Sequence, residues 1–438
     1  MPKTRISLLE DFRWRGIVYN VSEGLEALAE RERLTGYIGF DPSAASLHVG
    51  SLLPVMALAR FQKYGHRPIA IVGGGTGMVG DPSGKSVERP LLSLEQIEEN
   101  LQGLRKQLEP LLDFHAKENA ALIVNNADWL APISLMEFLR DTGKYFTVNY
   151  MLNKESVKRR LHRNSPEEIL SGQEGISFTE FSYMLLQAYD FLQVFDRHKC
   201  VLQMGGSDQW GNITAGMDLI KRLRKAQAHG LVFPLVTTAT GSKFGKTESG
   251  TVWLDPKLTS PYRFYQFWYN TDDRDAGTYL KFFTWLSRKE IEDLETSLKT
   301  APQERAAQVR LAREVTRQVH GETALERAEK ASRALFGEEI STLTLDELRE
   351  VLQEAPCTHV ERAKLQGKGM SLVDLSVLAG LAASKGEARR LIEGGGVYLN
   401  NRRIGEASQP VSTNDALHGK FLVLRRGQKE FRLVELQH

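Results

Sequence analysis

Along the first 240 residues the hydrophobic pattern switches repeatedly between two periods. Apolar runs at 36–40, 68–73, 121–125, 200–204 and 231–236 read as short buried strands. Between them, 52–64, 94–108 and 213–223 place apolar residues three and four apart, the spacing of one helix face. Strands separated by helices predict an α/β fold, a parallel sheet with right-handed crossovers. The stretch 126–196 lengthens one crossover beyond an ordinary connection and reads as an inserted helical subdomain.

From 260 to 353 the pattern is mostly helical, most clearly at 305–319 and 324–335. Residues 354–369 (EAPCTHVERAKLQGKG) mix Pro, Gly and charge and read as a linker. Beyond them, helices at 372–378 and 385–393 precede strand candidates at 397–400, 421–425 and 431–436, a compact α+β module.

A chain of 438 residues has room for two or three domains. Ordinary apolar and charged fractions, 41% and 26%, exclude a disordered chain. No apolar run approaches the roughly 20 residues of a membrane span, so no membrane partner is expected. Two cysteines, Cys200 and Cys357, exclude a disulfide framework or a multi-cysteine zinc site and fit a reducing compartment. The first residues (MPKTRISLLEDFRWRG) hold Glu10 and Asp11 and no apolar core. Neither a signal nor a transit peptide is expected, and the expected location is cytoplasmic. The net charge of +2 conceals an asymmetry: from residue 361 onward 13 Lys and Arg face 8 Asp and Glu, while the preceding part is slightly acidic. A basic tail on an acidic body suits an appended polyanion-binding module.

Three stretches carry candidate chemistry. Gly75-Thr-Gly77-Met-Val-Gly80 is formally a dinucleotide fingerprint, but it runs into Asp81-Pro82-Ser83-Gly84, which reads as loop where the fingerprint requires a helix. The second stretch follows the first strand: Asp41-Pro42-Ser43, then His48-Val49-Gly50-Ser51 leading into an apolar helix. A hydroxyl, an imidazole and close-approach backbone thus meet at a strand's C-terminal end and a helix N-terminus, where open sheets bind anionic ligands. The plainer reading is that His48 caps the helix. The third is Lys243-Phe-Gly-Lys246-Thr247 after the last strand, two cations and a hydroxyl suited to clamping phosphate. In 181–191, read as a helix, Tyr183, Gln187 and Asp190 share one face, a polar stripe that wants polar partners or a polar ligand.

These stretches, with VGGGTGMVGDPSGK, FSYMLLQAYD, LQMGGSDQWGN, FGKTESG and SPYRFYQFW, resemble the bacterial tyrosyl-tRNA synthetases among the class I aminoacyl-tRNA synthetases. The likeness runs from about residue 5 to the end, and the final segment is similar to the S4-like RNA-binding domain of that family. The resemblance implies a Rossmann-like catalytic domain over 1–240 with its insertion at about 126–196. It also implies a signature loop and helical anticodon-side domain over 241–353, a linker at 354–370 and an S4-like domain over 371–438.

The activity so implied is ligation of tyrosine to tRNA(Tyr). L-tyrosine is activated by ATP with Mg²⁺ to tyrosyl-adenylate and pyrophosphate, then transferred to the 3′ end of the tRNA. No tightly bound cofactor and no protein metal-ligand set are expected; family members are homodimers. By resemblance, Tyr37 and Asp190 read the substrate phenol, while Asp81, Tyr183 and Gln187 hold its ammonium. His48 and Ser43 stand on the γ-phosphate side, with Lys85, Arg89, Lys243, Lys246 and Thr247 as mobile phosphate contacts. Asp41, Gly50, Ser51, Gly206, Asp208 and Gln209 hold adenylate, ribose and substrate. Ser51 stands where the family's first motif commonly has a second histidine. Lys385, Arg389, Arg390, Arg402, Arg403, Arg425 and Arg426 are expected RNA contacts. The rivals are a tryptophan-activating relative, an RNA-binding protein on the same scaffold and, most distant, a nicotinamide-dependent dehydrogenase.

Overall fold

The computed structural model describes residues 6–81, 93–154, 157–158, 176–241, 244–247, 250–336, 340–352, 355–427 and 430–437, with Leu94, Lys246, Thr247 and Phe336 in backbone only. The chain divides into two compact units, Met1–Thr259 with Asn270–Val319, and Ser260–Tyr269 with His320–His438.

The first unit is built on a six-stranded sheet. Its strands are β1 (Asn20–Val21), β2 (Thr35–Phe40), β3 (Arg67–Val72), β4 (Leu122–Asn125), β5 (Leu202–Gly206) and β6 (His229–Phe233). The order is β1-β6-β5-β2-β3-β4, parallel throughout except for β1 against β6. The chain therefore winds outward from β2 in one direction and resumes at β5 on β2's other side. That reversal opens a crevice at the strands' C-terminal ends, where such sheets bind ligands. Helices Leu52–Lys63, Leu94–Leu108, Phe178–His198 and Trp210–Arg224 are the crossovers. Gly36 lets the first of them lie close to the sheet: a Cβ there would stand 3.0 Å from the Phe61 ring.

Two strand boundaries differ from the periodicity. β5 starts and ends two residues later than 200–204, because Gly205 and Gly206, with no side chains to mark a strand, pair with Val232 and Phe233. β6 begins at the polar His229 and stops before Pro234, which has no N–H for the ladder. β1 is too short to leave any alternation. The insertion forms helices Ala127–Leu130, Leu135–Asp141 and Val148–Leu152, the second opened by a Ser134/Glu137 capping box.

The helical stretch is shared between the units. Asp273–Phe283 packs on Leu52–Lys63, whereas Pro261–Tyr269 packs on Glu322–Phe336. Buried Arg60 explains the first pairing, donating to the carbonyls of Phe282 (2.8 Å) and Thr284 (2.6 Å) at that helix's C-terminal end. A short hairpin, β7 (Lys246–Thr247) with β8 (Gly250–Thr251), follows the sheet.

In the second unit the C-terminal part has its own core under a five-stranded sheet ordered β12-β11-β14-β15-β9. These strands are β9 (Cys357–Glu361), β11 (Val397–Leu399), β12 (Arg402–Ile404), β14 (Phe421–Arg426) and β15 (Glu430–Gln437). The short pair β10 (Met370–Ser371) and β13 (Pro410–Val411) lies beside it. Helices Leu372–Leu378 and Lys385–Glu393 fall where the periodicity put them. The segment read as a linker is a correction. β9 runs parallel to β15, and Val360 and Leu365 are buried in the module's core. Only Val360 of that strand is buried, so its local pattern reads as polar loop.

Candidate functional site

The crevice floor is formed by Tyr37 on β2 and Asp190 on the helix Phe178–His198. Tyr37 is only 2% exposed, packs edge-on against Phe191, and its hydroxyl finds no hydrogen-bond partner among the described residues. Burial, and then the Asp190 charge, raise its hydroxyl well above the ordinary tyrosine pKa. Asp190 is equally buried but well supplied with donors. It accepts from Trp129 Nε1 at 2.7 Å and Asn126 Nδ2 at 2.9 Å. Burial pushes its carboxyl up to about 7 against these two bonds, which favour the ionised form. A buried acceptor thus lies near a buried hydroxyl that has no partner among the described residues, a pair that a group able both to donate and to accept would complement.

Asn126 ties this floor to the crevice wall. Its Oδ1 accepts from the Gly75 amide at 2.8 Å, and its Nδ2 also reaches Thr76 Oγ1 at 2.9 Å. Thr76 in turn donates to Asp41 Oδ1 at 3.2 Å. The glycine run after β3 serves this packing: a Cβ on Gly74 would lie 2.2 Å from Asn125 Oδ1. Tyr183 points its hydroxyl at Asp41, at 3.4 Å.

On the other side of the crevice, the short turn Ser207–Gln209 follows β5. Gln209 donates to Asp81 at 2.7 Å and accepts from Gln187 at 3.1 Å, and Asn212 donates to Gln187 Oε1 at 2.9 Å. Asp81, Gln187 and Gln209, distant in sequence, thus form one chain of polar groups, with the Asp208 carboxylate beside it at 3.5 Å from Gln209. A Cβ on Gly206 would stand 2.5 Å from that carboxylate.

The two signature stretches meet through backbone. Val49 donates to the Val252 carbonyl at 3.0 Å and Leu254 to the Leu47 carbonyl at 2.8 Å. Gly245, at φ +81°, would press a Cβ to 2.7 Å from Val49 Cγ2. Phe244 anchors the turn between the rings of Tyr279 and Phe283, at 4.9 and 5.5 Å. His48 caps the turn Val49–Ser51, its Nδ1 accepting from the Gly50 amide at 3.0 Å, so the capping role is real whatever else the imidazole does. Ser51 precedes the helix Leu52–Lys63 without a side-chain cap, and Ser43 is exposed on the bend after β2. Lys85, Arg89 and Lys243 lie outside the described residues, and Lys246 and Thr247 are placed only by their backbone in β7.

Among the expected RNA contacts the structure separates two kinds. Arg389, Arg390 and Arg402 are exposed. Lys385 pairs with Asp374 at 2.6 Å and Arg426 with Glu387 at 3.3 Å, both near the surface. Arg403 is committed to the carbonyl of Gly395 at 2.8 Å. Arg425 is a correction: it is buried, stacked 4.0 Å over the Tyr398 ring, and donates to the Gly427 carbonyl at 2.7 Å. It holds the sheet and is not a surface cation: alternation along β14 puts it on the face opposite the core residues Leu422 and Leu424, where the Tyr398 and Phe431 rings cover it. Residue patterns singled out none of Asn126, Thr76, Trp129 or Asn212: Thr76 and Asn212 lie inside quoted motifs but carry no charge, and Asn126 and Trp129 belong to no motif.

Comparison with known proteins covers nearly the whole chain. Residues 29–337 match the profile described as tRNA synthetases class I (W and Y), and residues 347–434 that of the tyrosine–tRNA ligase SYY-like C-terminal domain. A tyrosine–tRNA ligase of Roseiflexus castenholzii is 56% identical over 430 residues, 98% of this chain and 99% of the relative. One from Opitutus terrae is 51% identical over 434 residues, 98% of this chain and 100% of the relative. A C-terminally truncated mitochondrial tyrosyl-tRNA synthetase of Aspergillus nidulans superposes with TM-score 0.67 at 31% identity, covering 76% of this chain and 95% of that one.

Proposed function

We propose the following division of labour for this chain, which belongs to the class I tRNA synthetases and has tyrosine–tRNA ligase activity. The enzyme uses ATP to activate tyrosine. Mg²⁺ is proposed to arrive with ATP, carried by the phosphates.

The observation that carries the residue roles is the buried Tyr37 hydroxyl, which lies near Asp190 and has no hydrogen-bond partner among the described residues. A phenol satisfies both, donating its hydrogen to Asp190 and accepting one from Tyr37. An indole N–H could donate to Asp190 but offers Tyr37 no acceptor, which favours tyrosine over tryptophan. Phenylalanine leaves the Tyr37 hydroxyl without an acceptor and brings Asp190 no further donor beyond Trp129 and Asn126, and is disfavoured for that reason. Asp81, Gln187 and Tyr183 form the polar collar for the substrate ammonium, with Gln209 and Asn212 keeping Gln187 in register.

The tyrosine carboxylate is itself the nucleophile at the α-phosphate, so positioning and neutralisation of the departing pyrophosphate do the catalysis. His48, Ser43 and the Lys243–Thr247 stretch are assigned to that leaving group and Gly50 to the ribose side, supported by the backbone bonds between the two motifs. Asp41, Asp208 and Gln209 are assigned to the ribose and adenylate.

For tRNA(Tyr), the exposed Arg389, Arg390 and Arg402, with Lys385, are the proposed phosphate contacts. Self-association is proposed through the insertion, where Leu135, Met136, Leu139, Val148, Leu152 and Phe178 are exposed apolar side chains. No helix among the described residues is long and apolar enough to cross a membrane, and a cytoplasmic location is proposed.

The test is ATP–pyrophosphate exchange with each amino acid in turn. Exchange dependent on tyrosine alone, weakened by Tyr37→Phe, supports these roles. Unchanged selectivity in that variant overturns the phenol-reading assignment.

A further inference from the structure

The edge of the C-terminal sheet carries three chemically different metal-ligating groups that the aminoacylation chemistry does not use. Cys357 and His359 sit two apart on β9 and so face the same way, while Glu435 is the register partner of His359 on parallel β15. One ligand atom from each lies within 4.8 Å of the others, and His359 Nδ1 is 3.2 Å from Glu435 Oε2.

We propose that Cys357, His359 and Glu435 bind a divalent transition metal, with Zn²⁺ as the best match. Tetrahedral zinc bonds of about 2.0–2.3 Å put neighbouring ligand atoms roughly 3.3–3.8 Å apart. The His359–Glu435 separation of 3.2 Å falls just short of that range and the thiol lies within 4.8 Å of both, so small side-chain rotations bring all three to zinc spacing. A thiolate, an imidazole and a carboxylate favour zinc over magnesium or calcium, which prefer all-oxygen sites. Their combined charge neutralises Zn²⁺.

The fourth position falls to water, because β9 is the edge strand and Cys357 and His359 are exposed. Lys420 holds the other Glu435 oxygen at 3.0 Å and fixes the carboxylate's orientation, the role outer partners have at metal sites. The core side of both strands is apolar, with Val360, Val434 and Leu436 beneath. The metal therefore staples the edge strand to its neighbour from outside. A plain cross-strand ion pair would need His359 and Glu435 but has no use for the thiol, which makes Cys357 the discriminating residue.

The experiment is a Co²⁺ titration of the reduced, tag-free full-length chain followed by displacement with Zn²⁺. One equivalent of Co²⁺ per chain, giving a near-ultraviolet thiolate-to-cobalt charge-transfer band that Zn²⁺ abolishes, is the expected result. Cys357→Ser should lose the band, with tyrosine-dependent exchange undiminished as proof of folding. His359→Gln, which keeps the thiol, should weaken binding at least roughly tenfold. Absence of the band at saturating Co²⁺, its survival in Cys357→Ser, or unchanged affinity in His359→Gln would overturn the proposal.

Discussion

Asn126 donates to Asp190 at 2.9 Å across 64 residues of chain, and its carbonyl oxygen receives the Gly75 amide at 2.8 Å. One amide therefore orients the carboxylate proposed to read the substrate and pins the glycine run after β3. Because it bonds the ionised form, it also opposes the burial that lifts Asp190 to about 7.

Tyrosine affinity should follow Asp190 ionisation. Below about pH 7 the carboxyl holds its own proton and cannot accept the phenol hydrogen, so affinity should fall toward tenfold per pH unit. Removing the Asn126 donor takes away support for the charged form. Asn126→Ala should therefore move the midpoint upward and cost roughly 1–3 kcal/mol of folding stability through the unpaired Gly75 amide. Equilibrium binding of tyrosine from about pH 5 to pH 8 measures both chains; a midpoint unmoved by Asn126→Ala would disconnect the pair. The sign for folding is opposite. Since the native pKa lies above the ordinary 3.8, Asp190's contribution to stability is lost as pH rises toward 7.

Tyr37→Phe deletes a buried hydroxyl that has no partner among the described residues. Folding stability should hold or rise by up to about 1 kcal/mol, since no protein hydrogen bond is lost. Selectivity for tyrosine over phenylalanine should fall roughly five- to tenfold, the worth of one neutral hydrogen bond. Denaturant titration and exchange kinetics with both amino acids separate the two effects.

Gly245→Ala tests the junction of the two motifs. The position needs φ +81°, and a Cβ would meet Val49 Cγ2 at 2.7 Å. Strain of about 1–3 kcal/mol there should displace the lysine-bearing turn. The exchange kcat should then drop by roughly five- to a hundredfold while tyrosine binding is spared. Equal losses in both would remove the turn from leaving-group stabilisation.

Truncation should depend on where the chain is cut. A chain ending at residue 352 should keep tyrosine-dependent exchange and lose tRNA charging by at least tenfold. One ending at 369 keeps β9 and Leu365 without the sheet and core that bury them, and should aggregate. Size-exclusion chromatography with paired exchange and charging assays distinguishes these outcomes. Soluble behaviour of the longer fragment would restore the linker reading of 354–370.

Neighbouring residues were enough to write the five central parallel strands to within a few residues, the crossover helices, the order of the two signature stretches and the helices Leu372–Leu378 and Lys385–Glu393. Periodicity is a local property, and a side chain's spacing to its near neighbours carries it. Tyr183, Gln187 and Asp190 could be placed on one helix face for the same reason.

Tertiary structure alone decided what those side chains meet. Asn126 finds Asp190, Gln209 finds Asp81, and Gly245 finds Val49 because the sheet order brings separate loops to one crevice. No spacing along the chain encodes such a meeting. The same holds for β9, whose polar pattern reads as loop until β15, from the far end of the chain, supplies its hydrogen bonds. A strand with one buried residue is specified by its partner more than by itself.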